Sequence, residues 1–308
     1  MTAHDHRARF GSVVTAMVTP FDAQGVLDLD AAAVLARWLA GHGSDGLVVA
    51  GTTGEGMVLT DPEKADLWRA VAEAVTVPVI AGAGTNDTQH SIELAKRAAG
   101  TGVDGILVVT PYYSRPSQQG LYEHFTAVAG ATSLPVMLYD IPIRSGRRID
   151  TSTFVRVSEA ASNVVAVKDA TGDPAGAART VAAMPSSFEV YCGDDSLTLP
   201  LMAVGAVGVV SVAAHWAGVE MREMISAFAA GDVARAAHIN RRLIESYTFE
   251  SSEEFPNPLP AKAACRVQGL DVGQCRLPMG SAPPELDGEA RRIITRLSTP
   301  STAGNLGA

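Results

Sequence analysis

Lys168 is the residue of this sequence whose position best suits it to covalent chemistry. It directly follows the apolar run 164–167, which predicts a buried strand. Burial disfavours a charged ammonium group, so it lowers the pKa of the amine and makes it available as a nucleophile toward a carbonyl carbon. The alternative is a structural ion pair with Asp169 or Asp194. Position alone leaves Schiff-base chemistry and the ion pair both open.

The chain has only three other lysines. Lys64 and Lys96 fall on polar faces of predicted helices, where we expect them to be solvated, and Lys262 falls near a predicted helix start. Their positions do not indicate a nucleophile.

Imine chemistry also requires groups that carry protons to and from the substrate. Tyr139 and Tyr113 follow predicted strands and could carry protons, with the Thr53 hydroxyl as a relay between them. Arg144 could hold a substrate carboxylate in a bidentate pair. Each tyrosine could instead be a core or rim aromatic. Arg144 could be a surface arginine in a loop that also carries Arg147 and Arg148, and we expect Arg147 and Arg148 to be solvated.

These residues need a scaffold that brings strand ends together. Short β-branched runs lie at residues 13–14, 47–49, 79–80, 106–109, 136–138, 164–167, 190–191 and 209–212. Stretches with helical spacing lie between them, at 31–39, 61–75, 88–99 and 120–129. Eight strands alternating with helices over about 220 residues predict an α/β fold, a (β/α)8 TIM barrel. A doubly wound sheet usually has a glycine-rich turn after its first strand, but this chain has Thr19-Pro20-Phe21-Asp22 there.

The barrel interpretation predicts where the site lies, because active sites of such barrels form at the carboxyl ends of the strands. The segments at those ends are Gly51-Thr52-Thr53-Gly54-Glu55, Pro111-Tyr112-Tyr113, Tyr139-Asp140, Lys168-Asp169 and Gly193-Asp194-Asp195. Past Gly231 no strand run follows, and 232–246, 258–266 and 289–297 read as helices. We predict a catalytic barrel over 1–230 and a helical C-terminal region over 231–308, with 298–308 as a frayed tail.

Composition narrows the possible partners and the compartment. The chain has 308 residues, of which 33 are acidic and 24 basic, for a net charge of −9, so a nucleic acid is not expected as a partner. Three cysteines form no even disulfide framework and favour reduced thiols in the cytoplasm. The first ten residues contain no apolar segment typical of a secretory signal.

The uncharged stretch 197–219 is long enough to cross a membrane. Pro200, Gly205, Gly208 and His215 interrupt it. We therefore predict a short buried helix that runs into a buried strand, and no membrane association.

Several segments together resemble one family of enzymes. They are Gly51-Thr52-Thr53-Gly54-Glu55, Pro111-Tyr112-Tyr113, Tyr139-Asp140-Ile141-Pro142-Ile143-Arg144-Ser145-Gly146, Val167-Lys168-Asp169-Ala170-Thr171-Gly172-Asp173, Pro258-Leu259-Pro260-Ala261-Lys262 and Arg276-Leu277-Pro278. In this order they are similar to the 4-hydroxy-tetrahydrodipicolinate synthase (dihydrodipicolinate synthase) family, which belongs to the pyruvate-dependent class I aldolases and lyases. The resemblance extends from about Gly11 to Leu297.

The resemblance implies a reaction and a role for each site residue. Lys168 would form an imine with pyruvate, and the derived enamine would add to L-aspartate 4-semialdehyde. The proton-relay positions are Tyr139, Thr53 and Tyr113, the last reaching in from a neighbouring subunit of a homotetramer. The substrate-binding positions are Thr52 and Thr53 for the pyruvate carboxylate, Gly193 and Val210 for backbone contacts beside the imine, and Arg144 for the semialdehyde carboxylate. No metal or organic cofactor is implied.

Other functions remain open at this stage. Sister enzymes, N-acetylneuraminate lyase and 2-keto-3-deoxy-gluconate aldolase, share the lysine and the Gly-Thr-Thr-Gly-Glu turn, although Arg144 favours the synthase. A catalytically silent keto-acid-binding paralogue and a metal-dependent barrel hydrolase are further alternatives; the seven histidines show no His-x-His at a strand end.

Two positions depart from the family pattern. Asp140 stands where many synthases have asparagine. Asp61, Lys64 and His90 stand at the positions that match a lysine-effector site, and Lys64 would place a cation where the ammonium of the effector should sit. We therefore expect weak or absent inhibition by L-lysine.

Overall fold

A computed structural model describes residues 8–250 and 252–299 of the chain. Eight parallel strands close into a barrel in sequence order, so that β1 pairs with both β2 and β8. The strands are β1 Val13–Ala16, β2 Gly46–Val49, β3 Val79–Gly82, β4 Gly105–Val109, β5 Val136–Asp140, β6 Val164–Asp169, β7 Glu189–Cys192 and β8 Gly208–Ser211. The predicted (β/α)8 barrel is therefore confirmed, and each predicted run forms a strand.

Burial on two faces explains why these runs are continuously apolar. One set of side chains, including Phe10, Val14, Ile80 and Met137, fills the barrel interior. The side chains of the opposite face pack against the surrounding helices in a larger core. Because both faces of each strand are covered, the strands do not alternate between apolar and polar residues.

Helices follow the strands and cover the outside of the barrel. They are α1 Leu29–Gly41, α2 Asp61–Ala74, α3 Thr88–Ala98, α4 Gln118–Ala129, α5 Pro142–Ser145, α6 Thr151–Ala160, α7 Pro174–Ala183, α8 Thr198–Ala203 and α9 Ala214–Ala229. Helix α2 begins with a capping box: the Thr60 hydroxyl accepts from the amide of Glu63, whose carboxylate accepts from the amide of Thr60. Asp87 caps α3, and its side chain accepts from the amides of Gln89 and His90.

The uncharged stretch 197–219 forms α8 and then β8, as predicted. Within the described residues, no helix is both long and apolar enough to cross a membrane.

Three helices follow the barrel: α10 Val233–Phe249, α11 Leu259–Val267 and α12 Pro284–Ser298. Helix α12 begins five residues before the predicted residue 289, because Gly288 lies inside the helix and does not interrupt it. Helix α10 packs on α9, and α11 packs on both α9 and α12. Residues 1–7 and 300–308 lie outside the described residues. Of the predicted frayed tail, 298–308, only Ser298 and Thr299 are described, and Ser298 is the last residue of α12.

Candidate active site

Lys168 and Tyr139 lie side by side at the carboxyl ends of neighbouring strands. They are register partners on β6 and β5, and the Lys168 Nζ lies 4.4 Å from the centroid of the Tyr139 ring. Lys168 is 5% exposed. The closed barrel thus brings together the predicted nucleophile and one predicted proton carrier.

The alternative role of Lys168 as half of an ion pair is not realised in the described residues. The Asp169 carboxylate accepts hydrogen bonds from the amide and the hydroxyl of Thr171, at 2.9 and 2.7 Å. Asp194 accepts from the amide and the hydroxyl of Ser196, at 3.0 and 2.7 Å. Both carboxylates therefore serve turns of the backbone, and in residues 8–250 and 252–299 neither pairs with Lys168.

Lys168 lines a cavity of about 320 Å³ at this end of the barrel. Six of the predicted site residues line it: Thr52, Thr53, Tyr139, Arg144, Lys168 and Gly193. The remaining lining residues, to which no catalytic or substrate-binding role was assigned, are Ile141, Ile143, Ala170, Asp194, Ser196, Val212, Tyr247, Glu250 and Asn257. The cavity combines one buried amine with hydroxyl groups and one guanidinium group. This set of groups suits a carbonyl compound that also carries carboxylates.

Gly193 lies against the side chain of Lys168. A Cβ atom at this position would come within 3.0 Å of both Cγ and Cε of the lysine, so glycine leaves the space that the lysine side chain occupies. The Gly193 amide donates to the carbonyl of Asp169 at 2.7 Å. Val210 lies on β8 with its side chain buried in the barrel interior, and Val212 lines the cavity instead.

Thr52 and Thr53 lie in a tight turn after β2. Ala50 and Glu55, which flank the turn, have positive φ angles of 58° and 54°, a conformation that residues other than glycine rarely adopt. The Thr53 hydroxyl oxygen accepts a hydrogen bond from the side-chain amide of Asn257 at 2.9 Å, which leaves the hydroxyl proton free for another acceptor. Sequence reasoning missed Asn257, because nothing local connects it to a turn 204 residues away.

Tyr113 is not brought to Lys168 within one chain. Its side chain is 91% exposed and its φ angle is 72°, an unusual conformation for a bulky residue. The preceding Tyr112 lines a second cavity of about 310 Å³, which shares Thr52, Tyr139, Ile141 and Arg144 with the first. A role for Tyr113 at Lys168 therefore requires a second chain.

Arg144 is the last-turn arginine of α5 and lines both cavities. We expected its neighbours Arg147 and Arg148 to be solvated, but both bond to other loops. Arg148 pairs with Asp173 at 2.9 Å, and Arg147 donates to the carbonyl of Arg115 at 3.1 Å. That expectation was wrong because the barrel brings neighbouring strand-end loops into contact.

The expected exposure of Lys64 is also wrong. Lys64 is 6% exposed, and burial lowers the pKa of its amine. It lines the second cavity together with His90, whose Nε2 lies 2.9 Å from the Asp61 carboxylate. Lys96 is exposed, as predicted, and pairs with Glu93.

Lys262 is also buried, but its partners differ from those of Lys168. It is 1% exposed, its Nζ lies 2.8 Å from the Glu55 carboxylate, and it donates to the carbonyl of Gln274 at 2.8 Å. Burial lowers the pKa of the Lys262 amine, and the nearby Glu55 carboxylate opposes this shift. Lys262 is therefore held in structural contacts, whereas Lys168 lies beside Tyr139 and lines the cavity with it.

Asp140 is a buried carboxyl group next to the site. Burial is the main cause that raises its pKa to about 7, and the nearby Asp169 adds to the rise. The amide of Ile149 donates to it, which opposes the rise. The Asp140 carboxyl thus changes its charge near neutral pH.

In residues 8–250 and 252–299, no group of three or more His, Cys, Asp or Glu side chains could hold a metal ion. His4 and His6 lie outside these ranges.

The chain is also similar to known proteins. The sequence model of the dihydrodipicolinate synthetase family matches residues 9–297. The chain belongs to this family. A relative from Moorella thermoacetica, a 4-hydroxy-tetrahydrodipicolinate synthase, is 52% identical over 279 residues, which are 90% of this chain and 94% of the relative.

Solved structures of the dihydrodipicolinate synthetase family agree with this assignment. Dihydrodipicolinate synthase DapA-2 from Bacillus anthracis superposes with a TM-score of 0.90 and 45% identity, covering 94% of this chain and 99% of that one. The enzyme from Cyanidioschyzon merolae with lysine bound gives a TM-score of 0.90 and 43% identity, covering 94% and 98%. The predicted family, the barrel and the prediction of a lyase are confirmed.

Proposed function

We propose that this chain is a 4-hydroxy-tetrahydrodipicolinate synthase, which condenses pyruvate with L-aspartate 4-semialdehyde in the diaminopimelate route to L-lysine. The observation that carries the proposal is Lys168: a buried amine with no ion-pair partner in the described residues, beside Tyr139 and facing a cavity that Arg144 also lines. No other described lysine combines these features.

The reaction begins at the Lys168 amine. The Nζ attacks C2 of pyruvate, and water leaves to give an imine. Loss of a proton from C3 gives an enamine, and this carbon forms a bond with the aldehyde carbon of the semialdehyde. The amino group of the semialdehyde then attacks C2 and closes the ring, which releases Lys168 as a free amine. The protein amine carries the covalent chemistry, so the proposal includes no cofactor.

Each proton transfer needs a hydroxyl group within reach. Tyr139 supplies one beside Lys168, and Thr53 relays the proton, its hydroxyl oxygen being held by Asn257. Tyr113 completes the relay from a neighbouring subunit, which is consistent with its 91% exposure on the isolated chain.

The two substrates carry carboxylates that need separate partners. Thr52 and Thr53 hold the pyruvate carboxylate, and the backbone of Gly193 and Val210 contacts the substrate beside the imine. Arg144 holds the carboxylate of the semialdehyde through its guanidinium group. The Gly193 amide is already bonded to Asp169. The carbonyl oxygen of Gly193 is therefore the backbone group that makes the contact beside the imine.

The proposal includes a homotetramer built from dimers that complete each other's sites, and a cytoplasmic location. Three buried free cysteines, Cys192, Cys265 and Cys275, suit a reducing compartment. The proposal also keeps the division into a catalytic barrel over 1–230 and a helical region over 231–308.

Turnover tests the proposal directly. Pyruvate and L-aspartate 4-semialdehyde are supplied with the downstream NADPH-dependent reductase as coupling enzyme, and cleavage of N-acetylneuraminate and 2-keto-3-deoxy-gluconate is measured in parallel. We expect robust condensation and little cleavage. Cleavage without condensation would assign a sister aldolase, and pyruvate binding without any turnover would indicate a silent paralogue.

A further inference from the structure

The turn that carries Thr52 and Thr53 is held by residues from the far end of the chain. The Glu55 carboxylate, at the end of this turn, lies 2.8 Å from the Nζ of Lys262 on α11. Its other oxygen accepts from the backbone amide of Arg276 at 2.8 Å. One oxygen of Glu55 is thus ion-paired and the other is hydrogen-bonded, each to a residue more than 200 positions later in the sequence.

Arg276 extends this contact to the start of α2. Its guanidinium donates to the Val58 carbonyl at 3.1 Å and pairs with Glu63 at 2.5 Å. Arg276 lowers the pKa of Glu63 to about 2 through this hydrogen bond. The same Glu63 carboxylate caps α2. The segment from Thr53 to Glu63 is therefore bound at both of its ends.

The turn needs such support because its backbone is strained. Ala50 and Glu55 both have positive φ angles, and residues other than glycine persist in this conformation only when their surroundings impose it. Glycine packing supplies part of the constraint: a Cβ atom on Gly56 would lie 2.2 Å from the carbonyl oxygen of Ala50. The buried ion pair of Glu55 and Lys262 supplies a second constraint, which acts on the side chain of Glu55.

We propose that Lys262 is a positioning residue, which acts through Glu55 to hold the Thr52–Thr53 turn against the Lys168 cavity. Lys262 itself does not line that cavity. The proposal rests on the proposed function for the identity of the reaction, but it also applies to the first step alone, the formation of the pyruvate imine.

Three variants of the full-length protein test this: Lys262→Met, Glu55→Gln, and the double variant Glu55→Gln/Lys262→Met. Each single change leaves one polar partner buried without its counterpart, so we expect Tm to fall by roughly 10 °C. The double change removes both charges, so Tm should recover most of this loss. Lys96→Met, which removes an exposed lysine, is the control and should match the wild type.

Activity separates positioning from stability. At a temperature where all variants are folded, we expect kcat/KM for pyruvate to fall at least 10-fold in Lys262→Met and to stay low in the double variant. The rate of imine formation, followed by borohydride trapping, should fall in parallel. Recovery of both rates in the double variant, together with Tm, would overturn the proposal, because the pair would then serve stability alone.

A double-mutant cycle tests whether Lys262 acts through the threonine turn. In a Thr53→Val background the effect of Lys262→Met on imine formation should shrink to about 2-fold, because the group that it positions is gone. An undiminished effect would contradict the proposed route. Normal imine formation without condensation in the wild type would instead count against the proposed function and would leave the positioning test intact.

Discussion

At the scale of single residues, the charge of Asp140 sets a pH dependence of stability. Its carboxyl has a pKa of about 7 in the folded chain and an ordinary value of 3.8. Between these values the folded state binds more protons than the unfolded state, so the free energy of unfolding falls as the pH rises. Arg148 and Asp150 also act on this group from the following loop, with opposite signs.

We expect Asp140→Asn to remove this loss of stability. Relative to the wild type, the variant should gain little at about pH 4 and on the order of 2–4 kcal/mol above pH 7. Denaturant unfolding at a series of pH values measures the difference. Asp271→Asn, which removes the charge of an exposed aspartate, is the matched control. A gain that does not vary with pH would show that the Asp140 carboxyl does not titrate as described.

Single residues also show where sequence reasoning succeeds and where it fails. Lys168 could be identified because a lysine at the end of an apolar strand is rare and the rule for barrel sites places it at the rim. Asn257 and the pair of Glu55 and Lys262 could not, because their partners lie about 200 residues apart. Lys64 was misjudged because this position on the helix is buried and lines the second cavity.

At the scale of elements, helices α2 and α3 carry the residues that match a lysine-effector site. Lys64 on α2 is buried and forms no hydrogen bond or ion pair in the described residues, and it lines the second cavity with His90 of α3. A cation at this point repels the ammonium group of L-lysine. His90 is already bonded to Asp61.

We therefore expect L-lysine to inhibit turnover weakly or not at all. Initial rates are measured at increasing L-lysine hydrochloride, with sodium chloride at equal ionic strength as the control. Clear dose-dependent inhibition at low millimolar L-lysine, beyond that of the salt, would contradict the prediction.

Among elements, strands were easier to predict than helix ends. Each strand is a short apolar run buried on both faces, and this pattern is visible without any knowledge of its partners. Helix starts depend on single capping groups. The capping box of Thr60 and Glu63 at α2 was not recognised, and α12 was predicted too short because Gly288 reads as an interruption when taken alone.

At the scale of the whole molecule, Tyr113 is 91% exposed on the isolated chain, and the proposed function assigns it to the site of a neighbouring chain. We expect Tyr113→Phe alone to slow turnover roughly 10²-fold or more, because one relay hydroxyl is lost. Lys168→Ala alone should abolish turnover. Chains of the two variants that are mixed, dissociated and reassembled should regain activity, because a Tyr113→Phe chain then receives the intact tyrosine of its Lys168→Ala neighbour.

The assembly itself is measured by analytical ultracentrifugation of the wild type, for which we expect a tetramer. Mixtures of each variant with itself are the controls for reassembly. Failure of the mixed chains to exceed the activity of Tyr113→Phe, despite proven mixed assemblies, would show that Tyr113 does not act across subunits. A pattern of apolar and polar residues does not predict such a contact, because a contact between subunits depends on a surface and not on the core.

The central claim is that Lys168 forms an imine with pyruvate, and borohydride trapping tests it most directly. With pyruvate present, reduction should inactivate the enzyme and increase the mass of the peptide that contains Lys168 by the mass of pyruvic acid less one oxygen atom. Lys168→Ala should keep its fold, as judged by circular dichroism, and remain unlabelled and inactive. Labelling at another lysine, or rates like those of the wild type in Lys168→Ala, would contradict the account.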